Sequence, residues 1–184
     1  PLYYAHAYAD REDDAAYYES VVEERGVDAV LEHGVGSGRV ALPLARMGVA
    51  VTGIDHSRPM LDHFRALLKK EPASVRKRVT LLQGDMRTTR VPKKRFPLVL
   101  CPFNAALHLY TREDVEAWLA CVHAQLEPRG ELVFDISMPI LEDLTRRPEV
   151  GYSIPPFEHP TAGRVRYREH FDYDRVRQIL FVSM

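Results

Sequence analysis

The sequence predicts an α/β fold: a Rossmann-like, doubly wound, mostly parallel sheet with helices on both faces, plus a C-terminal antiparallel hairpin. Three observations predict it. Short apolar runs alternate with segments of helical spacing along most of the 184 residues, as expected when strands are joined by helical crossovers. A loop with alternating glycines, Gly34, Gly36 and Gly38, separates the first apolar run from the next helix. A second apolar run ends on a carboxylate, Asp55, about 20 residues after that loop.

Asp13 to Glu24 reads as a leading amphipathic helix. Strands are expected at Ala29–His33, Ala50–Asp55, Val79–Gly84, Leu98–Cys101 and Glu131–Ile136. Helices are expected near Arg39–Met47, Pro59–Lys70 and Arg112–Leu126. Thr111-Arg-Glu-Asp114 has the form of a cap and first turn, and Pro128-Arg-Gly130 marks a stop before the fifth strand. Pro102 ends the fourth strand, because proline cannot donate to a sheet ladder. From Met138 to Pro160 repeated prolines interrupt any regular pattern. In a doubly wound fold this segment follows the carboxyl end of the fifth strand, where ligands bind. It is therefore a candidate substrate wall.

Composition fits one compact domain: residues 1–26 as an N-terminal helical flap, 27–137 as a cofactor-binding core and 138–184 as a substrate-side loop and hairpin. At 46% hydrophobic the chain can bury a core. A net charge of −1 provides no field to recruit nucleic acid or an anionic membrane. The basic runs, Lys69-Lys70 with Arg76-Lys-Arg78 and Arg90 to Arg95, lack interleaved aromatics suited to base stacking and read as solvated rim. Cys101 and Cys121 form neither a disulfide framework nor, with the histidines, a metal motif. No apolar run approaches a membrane span and no leader pattern opens the chain, so a cytoplasmic monomer or homodimer is expected.

The chemistry is concentrated in the glycine loop. Glycine lacks a Cβ, so a ligand can lie against bare backbone there, as nucleotide-type cofactors do. Dinucleotide binding favours G-x-G-x-x-G, and position 39, where its last glycine would stand, is Arg. The pattern is instead acid-x-G-x-G-x-G, opened by Glu32. Asp55, at the tip of the neighbouring strand, is placed to accept the hydroxyls of a ribose.

This pattern resembles motif I of the class I S-adenosylmethionine-dependent methyltransferases. The resemblance extends in order over residues 27–137, and is greatest to the small-molecule branch that includes glycine and sarcosine N-methyltransferase-like proteins, with their E-L-G-C-G-T-G and P-F-N-x-x-x-H motifs. Here the second motif is Pro102-Phe103-Asn104-Ala-Ala-Leu-His108. His33, Val35 and Ser37 stand where leucine, cysteine or alanine, and threonine are more usual. The resemblance implies S-adenosylmethionine as cofactor and a small-molecule methyl acceptor as partner. It places Asp85 at the adenine amino group, Met86 beside the ring, and His56 and Phe103 on the cofactor side. It also implies that the 102–108 loop brings the acceptor to the sulfonium. Asn104 is expected to contact cofactor or acceptor. His108 is either a base that takes the acceptor's proton or a structural residue of the loop. Tyr3, Tyr4 and Tyr8 are candidates for a flap, and Tyr152 for an aromatic lid over the acceptor. Two other readings remain open: a cofactor-binding protein without transferase activity, and a nicotinamide-dependent oxidoreductase, which Arg39 disfavours.

The tail from Gly163 to Met184 alternates polar and apolar residues and breaks at Asp172-Tyr-Asp174. It is expected to form an antiparallel hairpin outside the parallel sheet, with Val165, Tyr167 and Phe171 on one face and Arg164, Arg166, Arg168 and His170 on the other. On that reading the strands that would close the core lie outside this chain.

Overall fold

The computed structural model describes residues 13–159 and 162–184. Tyr3, Tyr4 and Tyr8 lie outside the described residues. The described residues form two compact units, one up to Ile136 and one from Ser137.

The first unit is built on a five-stranded parallel sheet of order β3-β2-β1-β4-β5. Its elements are α1 (Asp13–Arg25), β1 (Ala29–His33), α2 (Ala41–Arg46), β2 (Ala50–Asp55), α3 (Arg58–Leu68), α4 (Ala73–Arg76), β3 (Val79–Gln83), β4 (Phe96–Cys101), α5 (Arg112–Gln125) and β5 (Leu126–Phe134). A 3-10 turn spans Ala105–His108. The expected strands fall within a few residues of their places, and the short α4 is an addition that the sequence pattern did not show.

Why the sheet is covered on both faces follows from its period of two. Val30, Leu98 and Leu100 point into one cluster with Tyr18, Val21 and Val22 of α1, Leu44 of α2, and Leu61 and Phe64 of α3. Their neighbours Leu31, Val99 and Cys101 point the other way, onto Trp118 and Val122 of α5. β1, β2 and β4 are buried along nearly their whole length, although β1 ends on Glu32 and His33 and β2 carries Thr52 and Asp55. Thr111 caps α5 as expected, its hydroxyl accepting from the Asp114 backbone N–H at 3.1 Å.

The fifth strand departs from expectation. The helix runs straight into β5 at Leu126, with no separate stop at Pro128-Arg-Gly130. Those residues instead form an irregularity: Phe96 pairs with Leu126, whereas Leu98 pairs with Glu131. Arg129 takes a left-handed φ of 69°, and a Cβ at Gly130 would stand 3.0 Å from the Phe96 carbonyl oxygen. The extra residues are thus absorbed as a bulge.

The second unit carries Ser137–Met184. The proline-rich segment, expected to be irregular, holds a short helix α6 (Leu141–Leu144) and strands β6 (Tyr152–Ser153) and β7 (Phe157–His159). They are followed by β8 (Gly163–Val165), β9 (Arg168–Asp174) and β10 (Ile179–Ser183). β9 and β10 pair antiparallel, β6 joins β9 on its other edge, and β7 pairs with β8. The hairpin is therefore present, outside the parallel sheet, but its turn lies at residues 175–178 rather than at Asp172–Asp174. The stretch expected as the first hairpin strand breaks at residues 166–167, so Arg164 and Val165 belong to the β7–β8 pair, whereas Arg168, His170 and Phe171 belong to β9, where Phe171 is buried, Arg168 exposed and His170 half-buried. Tyr152 packs edge-on against Phe171 at 5.9 Å, and the Arg146 guanidinium covers both rings at 4.3 and 4.4 Å.

Candidate functional site

In the parallel sheet β1 lies between β2 and β4, so the loops leaving β1 and β4 diverge from a topological switch point at the carboxyl edge. The sheet register aligns the tips: His33 pairs with Ile54, and Asp55 with Gln83. The glycine loop, the β2 tip and the 102–108 loop are brought to one edge for this reason.

The glycines have separate tasks. Gly34 lets the two loops approach, since a Cβ there would stand 2.6 Å from the Ala105 methyl. At Gly38, with φ +85°, a Cβ would meet the Phe64 ring at 2.2 Å, so this glycine serves packing against α3. Gly36 is the open one: a Cβ would meet only the Met60 methyl within 3.4 Å, at 3.3 Å. The atom it would meet is the end of a flexible side chain, so Gly36 is the least crowded of the three.

Asp55 is mostly buried, and each of its oxygens holds one backbone N–H, Gly36 at 2.7 Å and Ser57 at 2.8 Å. A carboxylate has about four acceptor positions, so these two bonds orient the group and leave capacity on both oxygens. His56, next to it, is exposed, with Nδ1 3.9 Å from Asp55 Oδ1. Glu32 is fully enclosed beneath the loop, and its Oε2 is buried with no hydrogen-bond partner. Burial pushes its carboxyl up to about 8; the Arg39 charge opposes this shift and the Asp55 charge adds to it. At neutral pH the group is therefore an uncharged, enclosed acid.

Asp85 sits one residue past Gly84, beyond the β3 tip, but its carboxylate is engaged on both oxygens by Arg87, with contacts from 2.6 to 3.0 Å. Arg87 also reaches Asp114, and its side chain holds the Asp85 carboxyl below the usual range. Met86 is half-buried against the Ile54–Trp118 cluster. His108 is exposed on the 3-10 turn, its Nδ1 3.4 Å from the Tyr110 hydroxyl.

The sequence reading missed three participants. Asp135, immediately after β5, accepts from the backbone N–H of Phe103 at 2.7 Å and of Asn104 at 3.2 Å. The buried Tyr18 hydroxyl donates to the same carboxylate at 2.6 Å. Arg39, weighed in the sequence only as a missing glycine, stacks its guanidinium 4.3 Å over the Phe103 ring. Asp135 follows the apolar run 132–134 and carries no motif, so only the pairing of β4 with β5 reveals it. Among the described residues no His, Cys, Asp and Glu group could hold a metal ion, and no helix is long and apolar enough to cross a membrane.

Comparisons with known proteins agree with this geometry. Residues 30–130 match a family described as a methyltransferase domain. The chain is 28% identical over 130 residues to the glycine/sarcosine N-methyltransferase of Aphanothece halophytica, a match covering 70% of this chain and 47% of that protein. Its fold is similar to that of the CcbJ methyltransferase from Streptomyces caelestis, with a TM-score of 0.75 and 26% identity over 92% of this chain and 64% of that one. It is also similar to the glycopeptide N-methyltransferase MtfA complexed with S-adenosyl-L-methionine, with a TM-score of 0.63 and 25% identity over 92% of this chain and 75% of that one. The chain spans about half the length of the curated relatives it matches.

Proposed function

The chain belongs to the methyltransferase domain family, as a class I S-adenosylmethionine-dependent member, and from that premise we propose that it transfers a methyl group to a small-molecule acceptor with a nitrogen or oxygen nucleophile. The observation that carries the reading is the Asp55–Gly36 pair. A carboxylate with unused acceptor positions is tied at 2.7 Å to the backbone N–H of Gly36, the least crowded glycine of the loop.

S-adenosylmethionine, when bound, supplies a methyl on a positively charged sulfur that an acceptor lone pair displaces in line. The chain's own work is alignment and exclusion of water, since such a donor needs little acid-base help. Asp55 accepts ribose hydroxyls, with His56 at its side. Gly34, Gly36 and Gly38 would form the backbone bed, with the enclosed Glu32 carboxyl beside it. Asp85 and Met86 take the adenine, with Arg87 yielding part of its hold on the Asp85 carboxylate. Phe103 and Asn104 border the cofactor from the β4 side, and His108 takes the acceptor's proton.

Family membership disfavours the nicotinamide reading; a binding protein without transferase activity is separated from an enzyme by assay. Calorimetric titration with S-adenosylmethionine should show binding, and the same titration with NADH should show none. Asp55→Ala should weaken the former by about 1.5–3 kcal/mol, the worth of charge-assisted hydrogen bonds. Unchanged affinity in that variant would sink the assignment. A screen for methyl transfer to amines, hydroxyls and carboxylates then identifies the acceptor.

A further inference from the structure

Phe103 and Asn104 both adopt left-handed backbone, with φ of 55° and 62°. Neither is glycine, and consecutive left-handed residues with side chains persist only where the surroundings hold them. What holds them is a carboxylate from another strand. β4 and β5 pair in register up to Cys101 and Phe134, so the residue just past the last pair, Asp135, stands beside the first amides past Pro102. Its Oδ1 accepts from Phe103 N and its Oδ2 from Asn104 N, and successive N–H groups in a turn form a concavity suited to an anion. Tyr18 of α1, buried, fixes the carboxylate by donating to Oδ1 at 2.6 Å. Burial and this hydrogen bond raise the Tyr18 hydroxyl well above its usual range, so it remains a donor. The Phe103 ring so placed lies beneath the guanidinium of Arg39, the residue that follows Gly38.

We infer that Asp135 is a positioning residue: through two backbone hydrogen bonds it sets the left-handed turn that aims Phe103 and Asn104, and with Tyr18 as its own anchor it couples the β4 loop to the glycine loop. The inference rests on the proposed cofactor site for its binding consequence, and on geometry alone for its conformational one.

Amide exchange of the full chain, resolved at residues 103 and 104, reads the conformational part, and calorimetry with S-adenosylmethionine reads the binding part. In Asp135→Ala both amides should exchange at least about tenfold faster, and the Kd should rise by about tenfold, the loss expected for hydrogen bonds to a charged group. Tyr18→Phe removes the anchor but keeps both backbone bonds, so it should speed exchange at 103 and 104 and raise the Kd, each by less than Asp135→Ala does, and unchanged exchange would remove Tyr18 from the inference. Asp135→Asn keeps one carbonyl oxygen and should release one amide but not the other. It also serves if the alanine variant does not fold. Unchanged exchange at both positions in a folded Asp135 variant would overturn the inference. So would faster exchange with an unchanged Kd. A parent chain that exchanges as expected but fails to bind S-adenosylmethionine would overturn the cofactor reading instead, and exchange in the variants would still decide whether Asp135 sets the turn.

Discussion

Trp118 of α5 donates its indole N–H to Nδ1 of His33 on β1 at 3.0 Å, and both side chains are buried. The bond requires Nδ1 to be unprotonated, so His33 is neutral with its proton on Nε2. Burial agrees, pushing the imidazole down to about 4. The polar ring that stands where the resembled family more often has leucine is thus satisfied at Nδ1 by a tryptophan 85 positions away, while its buried Nε2 has no hydrogen-bond partner.

Removing the donor tests this pair. Trp118→Phe leaves a buried acceptor without a partner, and should destabilise the fold by about 1–3 kcal/mol. Because Trp118 is the sole tryptophan, urea unfolding is best followed by circular dichroism. Combining the change with His33→Leu should cost less than the two separate losses together, since the pair couples directly. Additive losses would show that the bond contributes nothing.

Stability should fall as pH rises from 6.5 to 8. Glu32, with an ordinary value of 4.5 and a folded value of about 8, takes up a proton on folding. Its contribution is complete below pH 4.5 and is lost as pH rises through about 8. His33 has the opposite sign: held down to about 4 from 6.5, its contribution is present above 6.5 and lost as pH falls through about 4. The two slopes oppose each other between 4.5 and 6.5. Above 6.5 only the Glu32 slope remains, amounting to about 2 kcal/mol by pH 8. Glu32→Gln should flatten this limb in urea titrations of the ligand-free protein, and an unchanged limb would refute a protonated Glu32.

The glycines should rank by what their Cβ would meet. Gly36→Ala should cost about 1 kcal/mol, the strain of a left-handed alanine. Gly38→Ala adds a collision with the Phe64 ring at 2.2 Å, a further overpacking cost of about 1–3 kcal/mol. Thermal unfolding of the two variants measures the difference. Equal Tm values would mean that the loop moves freely away from α3.

His108→Ala should lower turnover of the acceptor found by screening about 100-fold, with cofactor affinity nearly intact. A loss explained by weaker cofactor binding or by a lower Tm would assign His108 a structural role beside Tyr110.

By itself the sequence determined what depends on local periodicity and on residue type at short spacing. Runs such as Ala29–His33 and Ala50–Asp55 can bury both faces only inside a parallel sheet, and glycines at 34, 36 and 38 permit a loop that no other residue pattern there would. Thr111 could be read as a cap because its partner is three residues away. Tertiary structure alone decided contacts between residues far apart in the chain. Tyr18 meets Asp135 across 117 positions, and Arg39 meets Phe103 because β1 and β4 are neighbours in the sheet. The proline-rich segment acquired β6 only by pairing with β9, and the hairpin turn settled after Asp174 because β9 keeps pairing with β10 that far. The physical reason is the same in each case. A side chain's local preferences set which way it faces along its own strand or helix, whereas its partner is set by which element tips the sheet order brings together.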